Sequence, residues 1–345
     1  MTESDSPFLL SRRSFLGGAG STVIFASPLR AMVLFDSASN AFRIAGDGGV
    51  APIHVDAQDF PGVARAARDL AEDVGRVFGT PAALVNEASR LGRPAVLIGT
   101  LGKSAVIDAL VRSGKLDVAP IAGQWESFTL QTVSDPMPGV AEALVIAGSD
   151  KRGTIYGIYA LSEQIGVSPW YWWADVPVRR RTAISIRRGK HFQGPPAVKY
   201  RGVFLNDEQP CLGKWTTEKF GGMNVAFYTR LFEVLLRLRA NYLWPAMWDN
   251  AFAQDDADNA RLADEYGIVM GTSHHEPMMR AHKEWTEYRA QYGNGEWNYA
   301  TNRDALQTFF REGIARNYDG LAFGEVTLPY DFCLGRSLVV GLSGL

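Results

Sequence analysis

The spacing of apolar residues changes character along the chain. In residues 62–78, Val63, Ala66, Ala67, Leu70, Val74 and Val77 recur every three or four positions, which predicts an amphipathic helix. Residues 94–99 are a short apolar run, read as a buried strand, and residues 103–113 return to helical spacing. Residues 127–133 and 143–147 read as a pair of strands. Residues 150–166 begin a third helix, with Ile155, Ile158, Tyr159, Ser162 and Ile165 on one side. Residues 40–190 are therefore expected to form one α+β unit. The following segment, Arg179-Arg180-Arg181 and residues 187–196, is basic and rich in Gly and Pro, and reads as a solvated linker.

From Val198 onward, strand and helix alternate. Strands are predicted at residues 199–205, 241–248 and 268–272. Helices are predicted at 224–238, with Tyr228, Leu231, Leu235 and Leu238 on one face, and at 258–266, closed by Gly267 as a C-cap. A helix over 304–316 and the start of a fourth strand at 320–323 continue the series. Such alternation predicts a parallel sheet, open or closed.

Composition narrows the function. The 345 residues are 46% hydrophobic, enough for a sizeable core. A net charge of −2 with both signs well mixed argues against nucleic-acid binding, which needs a basic face to displace counterions. Two cysteines, Cys211 and Cys333, cannot build a disulfide framework, and no Cys/His cluster has zinc spacing. The nine Trp are costly to place and often line ligand sites. At the N-terminus, Ser11-Arg12-Arg13-Ser14-Phe15-Leu16 precedes a weakly apolar run over residues 17–26. That is the pattern of a twin-arginine export signal occupying residues 1–31, and it predicts a periplasmic or secreted protein. The run is too short to span a bilayer and no other segment qualifies, so no membrane anchor is expected.

Each predicted strand of the second region ends in polar or aromatic residues: Asn206-Asp207-Glu208, then Trp244-Pro245-Ala246-Met247-Trp248-Asp249, then Ser273-His274-His275-Glu276-Pro277. On adjacent parallel strands these ends converge on one rim. Glycoside cleavage needs carboxyl groups on both sides of the scissile bond. Asp207 and Glu208 are neighbours whose side chains diverge, so one of them is expected to face the site and bind sugar hydroxyls, with a capped turn or a surface salt bridge as the alternative for either. Trp244 and Trp248 offer flat faces for a sugar ring, with core packing as the alternative. His274 and His275 suit an anionic sugar, and with Glu276 they also raise a metal site; a structural histidine satisfied by its own hydrogen bonds is the further alternative. The histidines are adjacent and diverge, and no H-E-x-x-H helix exists, so no metal or other cofactor is expected. Lys151 and Arg152 open a predicted helix and can hold a carboxylate; the alternative is a solvated turn.

Several of these stretches resemble family 115 of the glycoside hydrolases: KYRGVFLNDE (199–208), FGGMNVAFYTRLFEVLLRLRANYLWPAMW (220–248), LADEYGIVMGTSHHEPMMR (262–280) and WNYATN (297–302). Upstream, residues 148–176 are similar to that family's N-terminal domain. The resemblance implies an α/β fold, with an N-terminal α+β domain over residues 40–190 followed by a TIM barrel begun over residues 198–319. It implies an inverting α-glucuronidase that removes glucuronic acid, often 4-O-methylated, from xylan, so the expected partners are glucuronoxylan or aldouronic oligosaccharides. Full-length members are also expected to dimerise. By position Glu208, Trp244, His274 and His275 match residues expected to line the pocket; Asp207, Trp248 and Glu276 are carried with them as binding candidates. Residues 320–345 depart from the family where its catalytic acids are expected. The chain is therefore expected to be a truncated, poorly soluble and inactive member with no assignable catalytic residue. Two other readings stay open: a non-catalytic fragment that binds acidic oligosaccharides, and a metal-dependent hydrolase centred on His274, His275 and Glu276.

Overall fold

The computed structural model describes residues 32–35, 40–206, 210–271, 278 and 280–318. In chain order its strands are β1 (Val33–Leu34), β2 (Ala41–Gly46), β3 (Gly49–Val50), β4 (Ile53–Val55), β5 (Leu84–Val85), β6 (Ala95–Thr100), β7 (Phe128–Met137), β8 (Val140–Gly148), β9 (Ile184–Arg187), β10 (Lys190–Gln193), β11 (Gly202–Phe204), β12 (Tyr242–Trp244) and β13 (Val269–Met270). The α-helices are α1 (Pro61–Phe78), α2 (Ala105–Arg112), α3 (Lys151–Gln164), α4 (Leu212–Phe220), α5 (Val225–Arg237), α6 (Phe252–Asp255), α7 (Asp258–Tyr266), α8 (His282–Tyr288) and α9 (Arg303–Tyr318).

Local chemistry explains where the main helices start and stop. Pro61 opens α1, where its missing N–H leaves no bond unmade, and Gly79 closes it in the left-handed region at φ 110°. Asp150 caps α3 by accepting the Gly153 amide at 2.7 Å. Asn224 caps α5 through the amides of Ala226 and Phe227. Gly267 ends α7 at φ 76°, as its position after the last apolar residue predicts.

The first region is a three-layer sandwich. Its six-stranded sheet has the order β10-β7-β8-β6-β4-β5, with β5, β4, β6 and β8 parallel and β7 and β10 antiparallel. Alternation along β6 sends Val96 and Ile98 to the core shared with α1 and α3, and Ala95 and Leu97 to a second core under α2. A separate four-stranded antiparallel sheet, β1-β9-β2-β3, joins the first core through Phe42, Ile44, Ile184 and Ile186.

The segment expected to be a solvated linker is built into these sheets. Between its two basic stretches, Ile184, Ser185 and Ile186 of β9 are fully buried between β1 and β2. Lys190–Gln193, inside the Gly- and Pro-rich stretch, pairs with Gln131–Phe128 of β7 as an edge strand. Basic and polar side chains keep an edge strand from pairing further, so its composition resembles a linker while its backbone is in a ladder. The arginine run is anchored as well: Arg180 Nη1 donates to the Gly75 carbonyl at 2.8 Å and the Arg181 amide to the Val77 carbonyl at 2.8 Å.

The second region carries the parallel sheet β11-β12-β13, with Gly202, Val203 and Phe204 opposite Tyr242, Leu243 and Trp244, and Leu243 opposite Met270. Among the described residues this sheet has three strands. The fourth strand expected at 320–323 lies outside them, as do the signal expected at 1–31 and the tail 320–345. The strands are shorter than the apolar runs suggest; β12 stops at Trp244 because Pro245 has no amide to continue the ladder. Helices α5 and α7 cover one face of the sheet. Their residues Phe227, Tyr228, Leu231, Phe232, Leu262 and Tyr266 share one continuous core with α1 and α3.

Two buried polar clusters tie the regions together. In the first, Arg237 of α5 donates to Asp73 of α1 at 2.8 Å and to Glu233 at 2.9 Å, and Glu233 also accepts from Tyr171 at 2.9 Å. Burial pushes the Glu233 carboxyl up, but Arg237, the Tyr171 hydroxyl and Arg230 outweigh it and hold the carboxyl below its ordinary value. A carboxyl lowered in the folded state contributes stability above the unfolded-state value, about 4.3, and loses it as pH falls through the lowered value. Glu233→Gln is therefore expected to lower the urea midpoint at pH 7, with the gap from the parent narrowing as pH is taken from about 5 to about 3. A gap that stays constant across that window would exclude the Glu233 charge as its source.

Candidate functional site

The C-terminal ends of β11, β12 and β13 lie side by side, so the residues that follow them share one edge of the sheet. Phe204 and Trp244 are register partners and pack edge to face with centroids 5.7 Å apart. Tyr242, two residues before Trp244, lies on the same face of the sheet, and its hydroxyl accepts from Trp244 Nε1 at 2.6 Å. The Tyr242 ring has its own neighbour in Tyr200, at 5.9 Å. This face stays open: Phe204 is 56% exposed, and Tyr242 and Trp244 are only partly buried. Leu243, pointing the other way, is fully buried against the helices. The sheet thus has an apolar back and an aromatic, partly solvated front.

Glycine makes room for this arrangement at Gly271, directly after β13. A Cβ there would stand 1.7 Å from the Tyr242 hydroxyl and 2.7 Å from Trp244 Cδ1. The Gly271 amide continues the ladder by donating to the Leu243 carbonyl at 2.9 Å.

Trp248 sits on the loop after β12, half exposed, and stacks nearly parallel on His282 of α8, with centroids 4.7 Å apart and an interplanar angle of 7°. Trp244 and Trp248 therefore serve different neighbours at the same strand end. Around Trp248, Met247 and Ala251 form a small buried cluster with Ala281, and Lys283 pairs with Asp255 at 2.9 Å. Helix α8 is thereby fixed against the β12 loop. Asp207, Glu208, His274, His275 and Glu276 lie outside the described residues. Among the described residues, no three His, Cys, Asp or Glu side chains gather as a metal site.

Lys151 and Arg152 take a different place from the rim. Lys151 Nζ donates to the Asp264 carbonyl at 2.7 Å. Arg152 Nε donates to Glu126 Oε1 at 2.6 Å and its Nη1 to the Gly267 carbonyl at 3.2 Å. The carboxylate that Arg152 meets is thus supplied by the chain itself. Glu126, with a fully buried side chain, also accepts from Arg201 at 2.5 Å and from Asn241 Nδ2 at 2.6 Å. Arg201 and Asn241 immediately precede β11 and β12, so this cluster fastens the N-terminal ends of the strands, opposite the aromatic edge. In a parallel β/α arrangement that end serves stability and the other serves chemistry.

Reading strand ends as clusters located Trp244 and Trp248 but missed Phe204, Tyr242 and His282. Parallel register at two-residue spacing could have found the first two. His282 comes from a helix 34 positions beyond Trp248, and no local pattern links them.

Residues 193–326 match the family model for glycosyl hydrolase family 115. A solved structure described as a novel family GH115 4-O-methyl-alpha-glucuronidase, BtGH115A, with specificity for decorated arabinogalactans, aligns at 30% identity and a TM-score of 0.66. The chain is a member of glycosyl hydrolase family 115. The alignment takes in 79% of this family 115 chain and 34% of BtGH115A, so the chain spans about a third of that relative's length. Looser likenesses are found to Flavobacterium johnsoniae chitobiase, at 12% identity, TM-score 0.43, 74% of this chain and 37% of that one. CpGH84D aligns at 10% identity, TM-score 0.44, 85% of this chain and 42% of that one. No curated protein matches this family 115 chain.

Proposed function

We infer that this chain belongs to an α-glucuronidase that takes a glucuronic-acid-decorated polysaccharide at the aromatic edge of β11–β13 and removes the acidic side chain. The observation that carries this reading is the partly exposed aromatic front of Phe204, Tyr242 and Trp244 at the C-terminal ends of parallel strands, inside the segment that matches the family. A flat, partly desolvated ring takes the C–H face of a pyranose, while polar groups at the strand ends orient its hydroxyls. The reaction proposed is inverting, with one carboxyl protonating the leaving oxygen and another activating water on the opposite face of the ring. Completion of the parallel sheet as a (β/α) barrel and twin-arginine export, to a periplasmic or secreted location, belong to the same reading. The expectation that the chain itself is inactive rests on residues 320–345, outside the described residues.

Incubation with glucuronoxylan and with a glucuronic-acid-bearing arabinogalactan, followed by chromatography of released acidic sugars, tests activity and substrate together. Release from either supports the enzyme reading and overturns the expected inactivity. Binding without release favours an oligosaccharide-binding fragment, and neither binding nor release from folded protein overturns both. Trp244→Ala is expected to weaken binding of an aldouronic oligosaccharide roughly tenfold, about 1.4 kcal/mol, in calorimetric titration. Unchanged affinity would remove Trp244 from the contact surface.

A further inference from the structure

A second set of exposed rings lies on the segment joining α8 to α9. Residues 292–302 of this segment are tied to themselves. Asn302 Nδ2 donates to the carbonyls of Tyr292 at 3.1 Å and Glu296 at 3.0 Å, and its Oδ1 accepts from the Asn294 amide at 3.4 Å. Thr301 Oγ1 donates to Glu296 Oε2 at 2.7 Å, and the Glu296 amide to Asn294 Oδ1 at 2.9 Å. Gly293, in the left-handed region at φ 62°, lies where a Cβ would approach Asn302 Oδ1 to 2.2 Å. The buried Asn302 side chain thus turns inward to hold the backbone, with Asn294, Glu296 and Thr301 bonded to one another at the surface, while Trp297 and Tyr299 stand 55% and 51% exposed. Single exposed apolar residues are ordinary, but two large rings two positions apart on a braced loop form a patch of the kind that marks a contact surface.

Both rings rest on one stripe of α9. The Tyr299 hydroxyl accepts from Gln307 Nε2 at 2.7 Å, and the Arg303 guanidinium lies 5.2 Å from the Tyr299 ring centroid. Trp297 packs edge-on against Phe310 at 5.6 Å. Arg303, Gln307 and Phe310 are spaced i, i+4 and i+7, so they line up along the helix over about 10 Å at about 1.5 Å per residue. The rings are therefore set out along a line and not gathered into a cup. Arg303 is exposed at the first position of the 16-residue helix, where the dipole disfavours a cation, and it forms no ion pair among the described residues. An anion brought to that end would answer both.

We propose that this stripe is a second carbohydrate subsite that takes a linear pyranose chain, with sugars lying on Trp297 and Tyr299 and an acidic substituent paired with Arg303. It rests on the reading of the chain as carbohydrate-active, and it deepens that reading: the stripe holds the polymer while the strand-end rim meets the side chain. The linear arrangement selects a polymer over a single sugar, and Arg303 selects an acid-decorated polymer over a neutral one.

Affinity electrophoresis of the full chain in gels containing soluble glucuronoxylan or enzymatically debranched, neutral xylan tests the proposal, with circular dichroism to confirm folding. Trp297→Ala is expected to reduce retardation in both gels at least threefold. Arg303→Gln is expected to reduce it only with glucuronoxylan, to the neutral-polymer level. Tyr299→Ala, away from the Trp285–Phe309 packing, serves if Trp297→Ala fails to fold. Trp244→Ala is expected to retain most polymer retardation while losing affinity for short acidic oligosaccharides. If the stripe variants leave retardation unchanged while Trp244→Ala abolishes it, the stripe is excluded and the rim reading survives. If the parent chain, folded, is retarded by neither polymer, both fail. Loss of a dimer in sedimentation with retardation unchanged would make the stripe an interface between copies and overturn the proposal.

Discussion

Glu126→Ala is expected to destabilise the folded chain by about 3–5 kcal/mol, the range for removing one member of a buried ionic cluster. The carboxylate is fully buried and receives Arg152, Arg201 and Asn241, which come from α3 and from the residues just before β11 and β12. Truncation removes the acceptor shared by two guanidinium groups and an amide; Arg152, Arg201 and Asn241 keep their bonds to backbone carbonyls, but the charges facing the vacated buried position lose their counter-charge. Glu126 also sits at φ 49°, in the left-handed region that a side chain rarely adopts. That strain persists because the surrounding hydrogen bonds over-determine the position. A discriminating comparison follows. Glu126→Gly relieves the backbone and Glu126→Ala does not, so the glycine variant should be the more stable of the two by about 1 kcal/mol or more. Urea unfolding of both variants measures this. A loss below about 1 kcal/mol for Glu126→Ala would show that the cluster is not what fastens the parallel sheet to the first region.

How much of this was legible in the sequence depends on how local the cause is. Helices α1, α3, α5 and α7 were readable because period, cap and stop signal coincide within each segment: Pro61 with Gly79, Asp150 with Gly153, Asn224 with Ala226, Tyr266 with Gly267. Strands β9 and β10 were not: the edge strand β10 has a polar composition set by what it must avoid pairing with, its partners lying 59–65 residues away in β7, and the short interior strand β9 is defined only by β1 and β2 from the start of the chain. Lys151 and Arg152 show the same limit. A basic pair at a helix start suggests a carboxylate nearby, but only the fold reveals that Glu126 supplies it. At the candidate site, Trp244 was legible as a strand-end aromatic. The parallel pairing that sets Phe204 beside it, and the empty space at Gly271 that admits Tyr242, are long-range facts.

That space at Gly271 gives a sharp test of the aromatic front. In Gly271→Ala the new methyl must displace the Tyr242 ring, whose hydroxyl oxygen and Cζ would lie 1.7 and 2.4 Å away. Tyr242 and Trp244 are partly exposed, so both can swing toward solvent, and overpacking of this kind costs about 1–3 kcal/mol. The swing breaks the bond from Trp244 Nε1 to the Tyr242 hydroxyl and rebuilds the surface that faces the proposed sugar. Binding should therefore suffer out of proportion to stability: affinity for an acidic oligosaccharide falls at least about tenfold, roughly 1.4 kcal/mol or more, while the fold survives. Removing the atom nearest the methyl should restore part of the loss. Gly271→Ala combined with Tyr242→Phe is expected to be less destabilised than the sum of the single variants, since residues in contact are not additive. Recovery is partial, because Cζ still crowds the methyl and Trp244 has lost its acceptor. If Gly271→Ala lowers stability but leaves oligosaccharide affinity untouched, Tyr242 and Trp244 are packing groups, and the glycan must be held by other residues of the strand-end rim.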